Sequence, residues 1–306
     1  MKYPLWIIVM LTCFLLVGCT QEPSIETTLP LETTTAATTE PTTIPATVST
    51  TIPLITGWVE ENGSRYYYSD EGIPVTGWLE LDSSTYYFLE DGTMATGEVI
   101  IDGTACHFTS QGKRIILVNP WNYVPADYEP DLVSLTSAHG VQGSMVDSIC
   151  YEDLIAMIDD CNKVSPQAYV VSSYRTHQQQ TDNYNRKVKF YMDQGYHEET
   201  AKQQAALSIA IPGTSEHQLG LAVDIIDTDL WVLDSRQAEL PAQKWLMEHC
   251  WEYGFILRYP YNKIDVTGII YEPWHYRYVG KELAAELHEL NITLEEYIHS
   301  LTDAVG

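Results

Sequence analysis

Basic residues are scarce in this chain. Only 16 lysines and arginines stand against 42 aspartates and glutamates, giving a formal net charge of −26 over 306 residues. Such acidity excludes a phosphate-backbone partner, which a protein of this charge would repel, so no nucleic acid is expected. A long apolar run is also missing. The stretch from Pro4 to Gly18 falls short of the roughly 20 residues a membrane-spanning helix needs. The six cysteines, at 13, 19, 106, 150, 161 and 250, have no disulfide-framework spacing. Cys150 and Cys161 fit one helix, where eleven positions separate them by about 16 Å, beyond disulfide reach. Cys106, Cys150, Cys161 and Cys250 therefore read as small buried hydrophobes. Two catalytic signatures are absent as well: no H-E-x-x-H string occurs and no K-T-G.

The N-terminal stretch has one lysine, a short apolar core and then Leu16-Val17-Gly18-Cys19, which reads as an export signal. The last four residues resemble a bacterial lipobox, implying that residues 1–18 are a signal peptide and that Cys19 carries lipid. The chain is thus expected at the outer face of a cell membrane, in a wall of Gram-positive type. Residues 19–55 are dominated by threonine and proline, cannot build a core, and read as a disordered tether.

A repeat follows over residues 56–115. Thr-Gly-Trp recurs after 20 residues, from "TGWVEENGSRYYYSDEGIPV" to "TGWLELDSSTYYFLEDGTMA", and a weaker third copy starts "TGEVIIDGTACHFTSQGKR". Aromatics around turn-forming residues read as β-hairpins that must stack to bury their faces. These copies resemble the cell-wall-binding (choline-binding) repeats of bacterial surface proteins. The resemblance implies a wall-polymer ligand such as choline-bearing teichoic acid, caged by Trp58, Tyr67, Trp78 and Tyr87 through cation–π attraction. The alternative is that these rings only cement the stack. The third copy has Glu98 in place of the tryptophan and Cys106-His107-Phe108 in place of the tyrosines.

From residue 116 to 306 the pattern becomes globular. "YEDLIAMIDDCNKV" has helical spacing, "QAYVVSSYR" and "LAVDII" read as strands, Thr176–Asp193 and 198–209 as helices, and "AQKWLMEHCWEYG" as a helix stopped by Gly254. "TGIIYEPWHYRYV" reads as a strand interrupted by Pro273. Helices and strands come in blocks, so the fold class is α+β: a small peptidase-sized domain with an antiparallel sheet and flanking helices, preceded by a β-hairpin repeat array.

The stretch "GTSEHQLGLAVDI" places His217 and Asp224 in apolar surroundings. On one helix they would stand about 10 Å apart. A loop reversing at Gly220 into a strand brings them together as two ligands of a divalent ion. A catalytic zinc takes three protein ligands and keeps an open position, and His275 in "YEPWH" is the best third. A bend at Pro273 would turn Glu272 and His275 into one cavity, with Glu272 as general base.

Ser215 through Asp224 matches S-x-H-x-x-G-x-A-x-D, and Glu272 through His275 matches E-x-W-H. Together with "SSYRT", "GFILRYP" and "LVNPWNYVPADYEPDLV", these motifs resemble the VanY-type zinc D-alanyl-D-alanine carboxypeptidases over residues 117–290. The resemblance implies one zinc ion on His217, Asp224 and His275, with Glu272 as catalytic base. It implies Arg175 at the substrate carbonyl, and Ser215 and Gln180 as substrate contacts. Arg258 offers either a cation for the substrate's terminal carboxylate or a structural ion pair. The expected reaction removes the C-terminal D-alanine from peptidoglycan stem peptides. An L,D-carboxypeptidase acting on tetrapeptide stems and a non-catalytic wall-binding protein are the alternatives. A serine peptidase is not: the only S-x-x-K, Ser110 to Lys113, lies within the repeats.

Overall fold

A computed structural model describes residues 54–303, apart from positions 83, 126, 127 and 166. The signal segment, Cys19 and the threonine-rich tether up to residue 53 lie outside the described residues.

The repeats form three successive hairpins: β1 (Gly57–Glu61) with β2 (Ser64–Tyr68), β3 (Gly77–Leu81) with β4 (Ser84–Phe88), and β5 (Gly97–Ile101) with β6 (Thr104–Phe108). Asn62 and Gly63 both adopt positive φ, as do Asp102 and Gly103. That is the backbone a two-residue primed turn requires, and asparagine, aspartate and glycine tolerate it best. Each hairpin is too small to hide its own face, so Phe88 and Phe108 are completely buried between copies. The short strand β7 (Arg114–Ile115) pairs with β6 and ends the array.

The second region is built on a four-stranded antiparallel sheet ordered β10 (Ala168–Ser172), β11 (Ala222–Asp227), β13 (His275–Tyr278), β12 (Phe255–Leu257). A two-stranded sheet, β8 (Leu132–Ser134) with β9 (Met145–Asp147), precedes it. Helix α1 (Ser148–Val164) begins where Asp147 Oδ1 accepts the Ile149 amide at 3.1 Å. It turns Leu154, Met157, Ile158 and Cys161 onto the sheet, where they meet Val170, Val223, Ile225 and Tyr276. Full burial of one such leucine or isoleucine contributes about 1.5–3 kcal/mol. Helix α2 (His177–Asp193) opens with a reciprocal capping box between Thr176 and Gln179, and α3 (Glu198–Ala206) packs beside it. Helix α4 (Pro241–His249) passes into a short 3-10 turn that Gly254 ends at φ +81°.

All four cysteines of the described region are buried, and Cys150 and Cys161 lie on α1 as expected. The predicted strand around Pro273 is shorter than the sequence pattern: after α5 (Ile264–Thr267) the chain stays irregular to Trp274, and only His275–Tyr278 joins the sheet. Pro273 has no amide to donate to a ladder. Two C-terminal helices, α6 (Lys281–Leu290) and α7 (Leu294–Asp303), complete the fold. Leu283, Leu287, Leu294, Tyr297 and Ile298 form a second core there, and Ile115 of the last repeat strand is part of it. The repeats and the second region therefore share apolar packing across the expected 115/116 boundary.

Candidate metal centre

Three neighbouring strands bring the site together. Asp224 sits mid-β11, with Ser172 of β10 paired on one side and His275 of β13 on the other. His217 arrives from a 3-10 turn (Glu216–Leu219) that precedes β11, and Gly220 closes that turn at φ +72°. A Cβ there would also stand 3.0 Å from the Asp147 amide nitrogen, so the reversal demands glycine.

The three side chains are buried, and one ligand atom from each lies within 4.8 Å of the others. Tetrahedral ligation at about 2.0–2.2 Å spaces donor atoms roughly 3.4 Å apart, so the set stands close to closed metal geometry. Asp224 faces both imidazoles: Oδ2 lies 3.4 Å from His217 Nε2, and Oδ1 lies 3.1 Å from His275 Nδ1. The histidines are oriented oppositely. His217 donates Nδ1–H to the Ser173 carbonyl at 2.8 Å, which leaves Nε2 buried with no hydrogen-bond partner. His275 turns Nδ1 to Asp224 and sets Nε2 3.4 Å from Glu216 Oε2. An orphaned buried imidazole nitrogen beside a carboxylate is what a cation would satisfy, and this donor set suits zinc.

Glu272 completes the ring. Its amide bonds the Tyr259 carbonyl, the His275 amide bonds its carbonyl at 3.2 Å, and this turn at Pro273 sets Glu272 Oε2 3.7 Å from His275 Nδ1. Both side chains thus turn toward one another, as the bend predicted. Burial pushes the Glu272 carboxyl up to about 8; Asp224 adds to this, while His275 and Arg175 oppose it. Burial, then Arg175, depress His217 to about 4 against the pull of Asp224, so it is neutral and ready to ligate at pH 7. Burial disfavours charge on His275, yet Asp224, Glu216 and Glu272 together raise it to about 9. Asp224 stays ionised well below the usual carboxylate range: burial opposes this, and the two histidines outweigh it.

Arg175 follows β10 and is tied by its amide to the His217 carbonyl at 3.0 Å. Its guanidinium donates to Gln180 Oε1 at 2.9 Å, while Nε is buried without a partner. Burial lowers its pKa, and Asp224, Glu272 and Tyr259 counter that. Gln180 is fully buried with both ends of its amide engaged, Nε2 donating to the Ala210 carbonyl at 2.6 Å. It holds Arg175 in place. Ser215 is buried two residues before His217. Arg258 is placed differently from the substrate-carboxylate option. It is completely buried, donates Nε to Glu216 and both terminal nitrogens to Glu295, and belongs to a structural ion pair.

Sequence reasoning missed Glu216. This buried carboxylate joins Arg258 (2.7 Å), Arg277 (2.9 Å) and His275 (3.4 Å). Burial opposes its charge, but Arg258 and Arg277 hold it ionised below the usual range. Two arginines in strand-adjacent, apolar sequence, each needing a buried counter-charge, were the available signal.

In the repeats, Trp58 pairs with Tyr67 across β1–β2 and Trp78 with Tyr87 across β3–β4, with ring centroids 5.3 and 4.9 Å apart. Trp58 also packs on Tyr86 and Phe88 of the next copy. The Arg65 guanidinium lies 4.6 Å over Trp58 and that of Arg114 4.8 Å over Trp78. In the third copy the same register position holds Glu98 and His107, paired at 3.2 Å.

A buried two-histidine, one-aspartate donor set with a neighbouring glutamate and a poised arginine, on an antiparallel sheet, defines a single-metal hydrolase of the zinc peptidase class. Residues 143–281 match the VanY D-alanyl-D-alanine carboxypeptidase family, residues 75–115 a choline-binding repeat and 56–73 a cell wall binding repeat. A D-alanyl-D-alanine carboxypeptidase from Enterococcus faecalis is 38% identical over 186 residues, which are 61% of this chain and 66% of that relative. The solved structure of a mutant of the vancomycin resistance D,D-pentapeptidase VanY from a VanB-type resistance cassette, in complex with Zn(II), is also 38% identical. It has a TM-score of 0.53 and covers 60% of this chain and 97% of that one. The LdcB LD-carboxypeptidase structure is 31% identical with a TM-score of 0.54, over 67% of this chain and 94% of that one. The chain belongs to the VanY family of D-alanyl-D-alanine carboxypeptidases.

Proposed function

We propose that the protein is a zinc D,D-carboxypeptidase that removes the terminal D-alanine from peptidoglycan stem peptides at the cell wall. The observation that carries this reading is the convergence of His217, Asp224 and His275 within 4.8 Å, with Glu272 beside them. Zinc, when bound, supplies a Lewis acid and a nucleophile generated from water at neutral pH. Glu272 lies beside the three ligands, and once a cation offsets the burial that raises its carboxyl it is placed to accept a proton and return it to the departing amine. Gln180 aims Arg175, whose guanidinium offsets the negative charge that develops on the scissile carbonyl oxygen. Ser215 contacts the bound peptide. Glu216, 3.4 Å from His275 Nε2, favours the ring orientation in which Nδ1 faces Asp224 and would be the nitrogen offered to a metal.

The repeats dock the enzyme on wall polymer and raise the local substrate concentration. With Arg65 and Arg114 over the tryptophan faces, a choline ligand must displace a guanidinium, so a non-choline wall polymer is an equal candidate. Cys19 is proposed as the lipid anchor that holds the tether at the membrane.

The L,D reading is favoured by one observation, a likeness to the LdcB LD-carboxypeptidase as close in TM-score as that to VanY. Purified protein supplied with penta- and tetrapeptide muropeptides decides between them. D-alanine released from the pentapeptide alone supports the D,D assignment; release from the tetrapeptide alone replaces it with the L,D one. Zinc content near one per chain is expected in the same preparation.

A further inference from the structure

The segment Asn119–Tyr123 lies between the repeats and the metal centre in sequence, within one of the stretches that carry the family resemblance, and none of its residues has yet been given a role. Its conformation is locked. Asn119 is buried, and its Oδ1 accepts the Trp121 amide at 3.0 Å, the Asn122 amide at 3.0 Å and Asn122 Nδ2 at 2.8 Å, while its Nδ2 donates to Glu295. This clasp thrusts two large rings outward: Trp121 is 63% exposed and Tyr123 is 66% exposed. Side chains of this size normally bury most of their area, so two held in solvent on a rigid loop mark a contact surface. With Trp78 of the second repeat they line a cavity of about 530 Å³ whose other walls include Thr104, His107 and Asn122.

The position of these rings fixes what they face. The Tyr123 ring rests on Gly213, where a Cβ would stand 3.1 Å from Cδ1, and the next residue, Val124, bonds the Gly213 carbonyl at 2.8 Å. Gly213 is four residues from His217, so at most about 14 Å of chain separates them. An extended pentapeptide spans about 17 Å. A stem peptide with its scissile bond at the metal centre keeps four residues on the sugar side, which span about 14 Å, so its sugar-linked end can reach the neighbourhood of Trp121 and Tyr123.

We infer that Trp121 and Tyr123, with Trp78, form a stacking platform for the glycan strand that carries the stem peptide. The inference rests on the stem-peptide reading above. A pyranose ring presents an apolar C–H face with hydroxyls at its edge. Flat aromatic side chains suit the face, and the Thr104, His107 and Asn122 groups suit the hydroxyls. The substrate is then the glycan-attached stem and not a released peptide.

The test compares full-length wild type with the Trp121→Ala/Tyr123→Ala double variant on two substrates, a free acetylated pentapeptide and the same pentapeptide on uncrosslinked glycan strands. For the wild type, kcat/KM on the glycan-linked substrate should exceed that on the free peptide by about tenfold, and the double variant should bring this ratio close to 1. Trp121→Phe/Tyr123→Phe should restore most of the ratio, since the ring faces return. In parallel, affinity for peptide-free glycan strands should fall about tenfold in the alanine variant, while affinity for teichoic acid should hold. An unchanged ratio, an unchanged glycan affinity, or a loss confined to teichoic acid overturns the inference. If the wild type cleaves neither substrate, the peptidase reading fails, and glycan affinity alone then decides whether the platform exists.

Discussion

Zinc uptake should release protons, and its strength should climb steeply with pH. His275 is the reason. Its ring is surrounded by three carboxylates, with Nδ1 at 3.1 Å from Asp224 and 3.7 Å from Glu272, and Nε2 at 3.4 Å from Glu216. These hold the imidazolium to about pH 9 in the metal-free chain. A metal must displace that proton, whereas His217 is already neutral above about 4. With a ligand pKa of about 9, roughly 1% of chains carry neutral His275 at pH 7, so apparent zinc affinity should rise about tenfold per pH unit from 6 to 8. A metal dication also drives Glu272 to ionise, so a second proton is expected below about pH 8, and there the slope steepens from tenfold, due to His275 alone, toward about a hundredfold per pH unit. The same group governs the stability of the metal-free fold. His275 keeps its proton to about 9 when folded but only to 6.5 when unfolded. Its stabilisation is therefore complete below about 6.5 and lost as pH rises through about 9. Competition with a chromophoric chelator from pH 6 to 9 measures the slope, and calorimetry in buffers of different ionisation enthalpy counts the protons. A flat affinity from pH 6 to 8 with no proton release would refute the reasoning.

Three further outcomes are expected. Glu272→Gln should lower kcat by about 10²–10⁴-fold, and metal analysis should find zinc still bound, since the three ligands remain. Gln180→Ala should cost about tenfold in kcat/KM by releasing Arg175, whereas Arg175→Ala should cost about 10²–10³-fold; steady-state kinetics on one pentapeptide compares them, and equal losses would make Gln180 more than a positioning group. Leu154→Ala empties a fully buried position in the main core and should lower unfolding free energy by about 2–5 kcal/mol in denaturant titration.

The metal ligands were legible because their spacing leaves few geometries. A histidine seven residues before an aspartate, with Gly220 between, can converge only through a reversal, and the αL backbone of Gly220 supplies it. Glu272 was legible for a similar reason, since Pro273 forbids the flat strand that would point it away from His275. The partners of Gln180 and Arg258 were not legible because a side chain's partners are tertiary facts. Glu295 lies 37 residues from Arg258 and Ala210 lies 30 from Gln180, and no local pattern joins either pair. Helices α6 and α7 escaped attention although Leu283, Leu287, Leu294 and Tyr297 recur at helical intervals. Glu216 carries no local signal of its own, because the two arginines that converge on it come from distant segments.

Ile115 bears on how this protein can be cut. It is the final hydrophobic residue of the repeat array, yet it packs among Leu283, Leu287 and Leu294, and Lys113 beside it reaches Glu282 at 2.9 Å. Trimming at the family boundary would strip a plug from the C-terminal helices and leave an oily scar. A catalytic fragment meant to stay soluble should begin upstream of Lys113. In the intact chain, a pull on the wall-gripping end is delivered straight to the scaffold of the cutting end.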